Sequence, residues 1–173
     1  MAMDLKKAGN NVLVIGKTEG HLDQSIFAKE ILNEKKGPPP EINLFNEKNN
    51  GETILKLIKE KLIESCHDVS LGGILIALSK MCIKGKKGIK INPLKSLINK
   101  FEYFFSEDQG RYIIEVNNDN IKNVYKILKD NSVHFDELGI VNDNLVEFDE
   151  ELNLSVEILN EENKTWLNNY MIN

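Results

Sequence analysis

Apolar and polar stretches alternate along the chain in a way that predicts a series of strands and helices. Residues 12–15 are short and uniformly apolar, which indicates a buried strand, and residues 74–81 form a longer apolar run typical of a central helix. Apolar residues recur at helical spacing over residues 52–64, which predicts an amphipathic helix. Further helices are expected at 23–32 with Asp23 as its cap, at 121–128 with Asn118 or Asp119 as its cap, and at 155–170, and further strands at 89–91, 101–105, 112–116, 134–141 and 145–148.

The order of these elements indicates an α/β layered (α+β) domain. From Arg111 onward the order strand, helix, strand, strand is typical of a ferredoxin-like arrangement, so we expect a mixed β-sheet packed with helices that is partly ferredoxin-like. Trp166 and Leu167 are expected to pack the last helix onto the domain. The domain is expected to span residues 11–173. Residues 1–10 are expected to be a flexible N-terminal segment, and an origin as residues added for expression is an alternative.

Composition narrows the class of protein. Hydrophobic residues make up 41% and charged residues 28% of the chain, which is ordinary for a globular domain. The formal net charge is −5 and the lysines are dispersed, which argues against nucleic acid as a partner. No apolar run approaches the roughly 20 residues that span a bilayer, and no signal pattern opens the chain, so we expect a cytoplasmic protein with no membrane partner.

Two short polar motifs stand directly beside strongly apolar elements. Residues 67–73 (HDVSLGG) precede the predicted central helix, and residues 105–111 (FSEDQGR) precede a predicted strand. Polar groups in such places need a reason. The candidate ligand-facing or interdomain residues are His67, Asp68, Ser70, Gly72, Gly73, Ser106, Glu107, Gln109 and Arg111.

The chemistry of these motifs suits an oxyanion, although a purely structural role competes with that hypothesis. Glycines at a helix start leave backbone N–H groups open to phosphate, and Ser70 can cap the same helix. Arg111 offers a planar donor, beside an acceptor and an amide from Glu107 and Gln109. In the structural alternative Ser70 is only a cap, Gly72 only permits close packing, and Arg111 forms a surface ion pair with Glu107.

Cysteine and histidine chemistry is not favoured. Cys66 and Cys82 are too few for a disulfide framework or a four-thiolate zinc site, and both are expected to be small buried hydrophobes. Cys66, His67 and Asp68 do not form a triad, because neighbouring side chains of an extended segment point to opposite faces. No metal site is expected from the three histidines, since it would need three distant segments to converge.

The two motifs resemble those of the C-terminal domain of the phosphoribosylformylglycinamidine synthase family, the large synthetase subunit of purine biosynthesis. The family has a stretch like His-Asp-Val-Ser-Asp-Gly-Gly before a helix and one like Phe-Ser-Glu-Ser-Gln-Gly-Arg before a strand, in this order. The opening strand with its Gly-x-Thr turn at residues 16–18, the Pro-rich turn at 37–40 and the tail extend the resemblance over nearly the whole chain. Leu71 stands where an acidic residue is usual and Asp108 where a serine is usual.

The resemblance implies an AIR synthase C-terminal-like fold and a role in an ATP-dependent carbon–nitrogen ligase. In the full-length enzyme, formylglycinamide ribonucleotide is converted to the amidine with ATP, magnesium and ammonia from glutamine. The catalytic residues lie in other domains, so this chain is expected to be non-catalytic, inactive alone and without a tightly bound cofactor. Implied partners are the upstream synthetase domains of the same polypeptide, a glutaminase subunit and a small accessory subunit.

Two other classes of function remain open at this point. A free-standing nucleotide or small-molecule sensing domain with a ferredoxin-like sheet would share the predicted elements. A cysteine-dependent enzyme would lose its activity on alkylation of its thiols.

Overall fold

A seven-stranded mixed sheet forms the centre of the part of the chain that the computed structural model describes, residues 1–95 and 98–172. Its strands are β1 (Asn11–Ile15), β2 (Ser65–Asp68), β3 (Gly88–Ile91), β4 (Tyr112–Val116), β5 (Phe135–Asn142), β6 (Leu145–Phe148) and β7 (Leu152–Ser155). The helices are α1 (Ile26–Glu30), α2 (Leu44–Lys59), α3 (Gly73–Gly85), α4 (Lys100–Phe105), α5 (Ile121–Asp130) and α6 (Val156–Ile172). The strand order is β2-β4-β1-β5-β3-β6-β7, and only the β3–β6 pair is parallel among the paired strands described. The predicted mixed sheet packed with helices is confirmed.

Helices cover both faces of the sheet, and β1 shows why its sequence is uniformly apolar. Val12 and Val14 belong to the core beneath α3, whereas Leu13 and Ile15 belong to the core beneath α2 and α5. A strand buried on both faces has no polar side to alternate with its apolar side. The run of apolar residues in α3 has the same cause, because this helix also contacts α4 and α6.

One predicted strand is a helix. Residues 101–105 were expected to be extended, but α4 occupies Lys100–Phe105, and the side chain of Asn99 caps it by accepting from the backbone N–H of Glu102 at 3.0 Å. Consecutive aromatic residues fit a strand or a short helix equally well, and packing decides between them. Phe105 stacks on Phe27 with ring centroids 4.7 Å apart.

Several predicted helix ends also differ from the structure. The helix predicted at 52–64 is α2, which begins eight residues earlier because Asn43 caps it, and ends at Lys59. Ser25 rather than Asp23 caps α1, accepting from the N–H of Ala28 at 3.1 Å. The N-cap of α5 is Asn120, so neither Asn118 nor Asp119 holds that position. Strands β2 and β7 were not predicted; both are four residues long and carry polar side chains.

Both ends of the chain differ from the sequence-based expectation: the N-terminal segment is packed more closely than expected, and the end of α6 is more exposed. Residues 1–10 were expected to be a flexible segment, yet Leu5 is buried in the core and its N–H bonds to the carbonyl of Met81 at 3.3 Å. Trp166 and Leu167 were expected to pack α6 onto the domain, but they are 57% and 51% exposed. The start of α6 makes that contact instead, through buried Val156. No helix in the described residues has the length and apolar character needed to cross a membrane.

Candidate functional site

The two motifs meet because β2 and β4 are neighbours in the sheet. His67 lies opposite Ile113 in the antiparallel register. Beyond the last pair, the N–H of Val69 donates to the carbonyl of Arg111 at 2.9 Å. Strand pairing therefore brings together the loops at residues 69–72 and 106–111, which are far apart in the sequence.

A cleft of about 230 Å³ separates these two loops. The charged residues of this cleft that are not buried are all acidic: Glu47, Asp68 and Glu107. The cleft is lined by Glu47, Asp68, Val69, Ser70, Leu71, Glu107, Gln109, Gly110, Arg111 and Tyr112. Arg111 contributes little positive charge here, because its side chain is fully buried. The rim predicted from the motifs is thus acidic.

Glu107 occupies the N-terminus of α3 that was expected to attract phosphate. Its Oε1 accepts hydrogen bonds from the N–H of Gly72 and from the N–H of Ile26, each at 2.8 Å. One carboxylate oxygen thereby holds the first turns of both α1 and α3. Because the helix N-terminus favours negative charge, this internal carboxylate takes the place of an external anion.

Ser70 and Gly73 have structural positions that differ from their predicted roles. The N-cap of α3 is Gly72, with φ +83° and no side-chain cap, so the prediction that Ser70 caps this helix is wrong. Ser70 instead accepts through its carbonyl from the N–H of Gly73 at 3.0 Å. A Cβ atom on Gly73 would lie 2.6 Å from the carbonyl oxygens of Phe104 and Ser106, so this glycine permits the close approach of α3 and α4.

Arg111 is a buried structural cation, which contradicts the expectation of a ligand-facing guanidinium or a surface pair with Glu107. Its Nε donates to the carbonyl of Asp108 at 3.1 Å, one terminal nitrogen to Thr18 Oγ1 at 3.0 Å, and the other to the carbonyl of Ser106 at 2.7 Å. Burial lowers the pKa of Arg111, and the Asp108 carboxylate, 3.8 Å away, opposes that shift. Arg111 is the one arginine of the sequence.

Asp108 binds a loop that lies outside the two motifs, at residues 19–21. Its carboxylate accepts from the backbone N–H groups of Glu19, Gly20 and His21 at 2.9, 3.1 and 3.2 Å. Together with Arg111 it fixes the loop after β1 against the loop before β4. The sequence signal for this contact was weak, since the partners are 87 to 89 residues apart.

The side chains of the remaining candidate residues make fewer hydrogen bonds. His67 Nδ1 lies 3.1 Å from Asp68 Oδ1, while its Nε2 is buried without a hydrogen-bond partner, as is the hydroxyl of Ser106. Gln109 is exposed and donates through Nε2 to the carbonyl of Glu107 at 3.2 Å. Burial, followed by the charge of Asp68, raises the pKa of the Cys66 thiol to about 12, so Cys66 is not an activated nucleophile.

Comparison with known proteins identifies the family. A family model described as AIR synthase related protein, C-terminal domain, matches residues 7–149. The chain belongs to the family of AIR synthase-related C-terminal domains.

Curated relatives of this AIR synthase-related domain carry one name. The chain is 65% identical over 173 residues, 100% of its length, to the phosphoribosylformylglycinamidine synthase subunit PurL of Pelagibacter ubique (strain HTCC1062), and covers 24% of that protein. It is 36% identical over 166 residues to the PurL subunit of Bartonella tribocorum (strain CIP 105476 / IBS 506), covering 94% of this chain and 22% of that protein. The chain thus spans about a quarter of the length of these relatives.

Solved structures share the fold of the AIR synthase-related domain at low sequence identity. T. maritima PurL complexed with FGAR has a TM-score of 0.75 and 20% identity, over 92% of this chain and 29% of that chain. A chain of a HypE-HypF complex structure also shares the fold, with a TM-score of 0.59 and 19% identity, over 88% of this chain and 54% of that chain.

The residues of this domain do not fit the triphosphate of ATP or its magnesium at the motif rim. The Gly72 N–H at the start of α3 already binds the carboxylate of Glu107, and the N–H groups of the loop at residues 19–21 bind that of Asp108. Residues 1–95 and 98–172 contain no group of three or more His, Cys, Asp or Glu side chains that could hold a metal ion. No chemical step involving either group is assigned to this chain.

Proposed function

We propose that this chain is the C-terminal, non-catalytic domain of phosphoribosylformylglycinamidine synthase, with residues 11–173 as the domain and residues 1–10 joined to it by packing. The full-length enzyme is then an ATP-dependent ligase that converts formylglycinamide ribonucleotide to the amidine with ammonia from glutamine. The observation that carries the proposal is the 65% identity over all 173 residues to a PurL subunit.

The geometry of the motif rim supports a positioning role rather than a catalytic one. The one arginine is buried, the open carboxylates repel phosphate, and the Cys66 thiol stays protonated at neutral pH. Arg111 and Glu107 each connect elements of the fold. ATP and magnesium are therefore proposed to act in other domains of the full-length enzyme.

Exposed apolar side chains support docking onto the rest of such an enzyme. Leu44 and Phe45 at the start of α2 are 75% and 78% exposed, and Tyr170 and Met171 at the end of α6 are 73% and 75% exposed. Exposed groups of large apolar residues often mark interaction sites. We propose the upstream synthetase domains as their principal partner, with a glutaminase subunit and a small accessory subunit completing the complex.

A chimera tests the proposal directly. The matching 173 residues of the Pelagibacter ubique PurL subunit are replaced by this chain, and ADP release is measured with formylglycinamide ribonucleotide, ATP and ammonia. We expect the chimera to retain activity within about tenfold of the natural subunit, since a docking surface at this identity tolerates exchange. The chain alone should release no ADP above a heat-inactivated sample.

Two controls make the result interpretable. A PurL subunit that lacks the segment altogether should be inactive, and a chimera carrying Phe45→Ser should lose activity if this exposed phenylalanine docks on the enzyme. A folded, inactive chimera would contradict the proposal. Substrate-dependent ADP release by the chain alone would show instead that it is a complete enzyme.

A further inference from the structure

The carboxylate of Asp108 lies in a backbone concavity built from three consecutive N–H groups. Glu19, Gly20 and His21 all direct their N–H groups at it, with N···O distances of 2.9 to 3.2 Å. Gly20 has φ +84°, a conformation that helps successive N–H groups converge. Concavities of this kind bind anions in proteins, and here the anion is a side chain of the same molecule.

A guanidinium completes the charge environment of this concavity. Arg111 lies 3.8 Å from the carboxylate and is held by the hydroxyl of Thr18 and two backbone carbonyls. Backbone N–H donors with an arginine behind them are the donor set that proteins use for phosphate and sulfate oxygens. Asp108 is only 6% exposed, so its carboxylate fills this set of donors.

The concavity opens onto a cleft of about 1040 Å³. Glu19, Gly20, His21 and Asp108 line it, together with the prolines at 38–40 and residues at the start of α2. An anion from solvent therefore has a path to the three N–H groups. The cleft is large enough for a small metabolite.

We propose that Asp108 is a tethered oxyanion that excludes phosphate-type groups from the cleft, and so determines its specificity against phosphorylated ligands. A side chain attached to the loop competes at a high effective concentration, of about millimolar order or above, with any free anion. The carboxylates of Glu41 and Glu47 also line the cleft and add to the repulsion of phosphate, whereas Glu19 is paired with Lys17 at 2.7 Å. Removal of the Asp108 carboxylate would leave three N–H groups without an acceptor, beside the positive charge of Arg111, and so able to bind an external oxyanion.

The test compares Asp108→Ala with the natural chain in sulfate and in inorganic phosphate. Thermal unfolding is followed as each anion is titrated against chloride at constant ionic strength. We expect D108A to unfold at a lower temperature in chloride and to regain stability in a saturable way as the anion binds the folded state. The apparent affinity should be at least about tenfold higher than in the natural chain.

Asp143→Ala is the matched control, since the Asp143 side chain is 83% exposed and pairs only with Lys87 among the contacts described. Sulfate stabilises proteins generally by exclusion from their surface, so the natural chain and D143A should show a shared, unsaturable rise. A D108A response that is no larger than theirs would overturn the proposal. If D108A does not fold in chloride, refolding in sulfate should rescue it, and failure in both salts would also overturn the proposal.

Asp108→Asn tests whether the charge of the side chain or its shape excludes the anion, because it removes the charge and keeps the shape nearly unchanged. The amide keeps one acceptor oxygen for the N–H groups at residues 19–21 but removes the negative charge, so we expect a weaker anion response than in D108A and a smaller loss of stability. An anion response in D108N equal to that of D108A would mean that charge alone excludes phosphate. A response in the natural chain equal to both would rule out any such role for Asp108.

Discussion

The Glu107 carboxylate accepts the backbone N–H of Gly72 at 2.8 Å, which joins two motifs that lie 35 residues apart in the chain. This bond explains why an acidic residue belongs in the second motif, because it neutralises the positive end of α3. The same oxygen accepts from Ile26, so the loss of one side chain affects two helix starts.

We predict that Glu107→Ala lowers the free energy of unfolding by about 1–3 kcal/mol, since two helix N–H groups lose their acceptor. Glu107→Gln should cost less, because its amide oxygen still accepts. Urea unfolding monitored by circular dichroism measures both. Glu162→Ala, at an exposed position of α6, is the control, and an equal loss in E107A and E162A would disprove the capping role.

Arg111→Ala should destabilise the domain itself by about 3–5 kcal/mol, because Asp108 and the groups that Arg111 binds would stay buried without their cation. Arg111→Lys should recover only part of this loss, since an ammonium cannot reproduce the planar fork of donors. Chemical denaturation gives the comparison. Lys17→Ala removes an exposed ion pair with Glu19 and should cost no more than about 1 kcal/mol. A fully stable R111A would contradict the structural role.

The sequence predicts this molecule best where a single burial pattern decides the structure. β1 and α3 are apolar because they are buried between layers, and their periodicity contains that information. α4 was predicted as a strand because Tyr103 and Phe104 fit either element, and the contact with Phe27 that favours the helix comes from a residue more than 70 positions away.

At the candidate site, too, the sequence predicted which segments lie together but not which distant residues their side chains contact. The two motifs were expected to share one rim, and the pairing of β2 with β4 does bring them together. What the side chains face was not predictable, because one hydrogen-bond partner of Arg111 is Thr18, 93 residues earlier. Asp108 was set aside as a departure from the family pattern, yet it makes three backbone contacts. Long-range polar contacts of this kind leave no periodic trace in a sequence.

The two thiols should make stability depend on pH in the alkaline range. Burial raises the pKa of Cys66 and of Cys82 to about 12, whereas the thiol of an unfolded chain has a pKa of about 8.5. The stabilising contribution is therefore complete below about pH 8.5 and is lost as pH rises toward 12, by up to about 1.4 kcal/mol per pH unit for each thiol.

The measurement for this prediction compares the natural chain with Cys66→Ala and Cys82→Ala from about pH 7 to about pH 10. Each variant should lose stability less steeply above about pH 8.5, whatever its constant cost from lost packing. Identical pH slopes in all three proteins would show that the thiols ionise equally in the folded and unfolded states. Iodoacetamide should label the buried thiol of Cys82 only as fast as the domain opens.

Glu115 connects the N-terminal segment to the sheet, and this leads to a prediction about cooperativity. Its buried carboxylate accepts from the N–H groups of Lys6 and Lys7, from Asn10 Nδ2 and from the hydroxyl of Ser65, at 2.7 to 3.1 Å. Glu115→Gln should cost about 1–3 kcal/mol, because an amide NH₂ would face donors.

Deletion of residues 1–7 removes two of those donors as well as the buried side chain of Leu5, and should cost more than Glu115→Gln. Because both changes break the same contacts, the combined variant should lose less than the sum of the two, by about 0.5–3 kcal/mol in a double-mutant cycle measured by urea unfolding. Glu157→Gln, at an exposed position of α6, combined with the same deletion should be additive. Additive costs for Glu115→Gln and the deletion would mean that the Glu115 contacts do not contribute to holding the N-terminal segment.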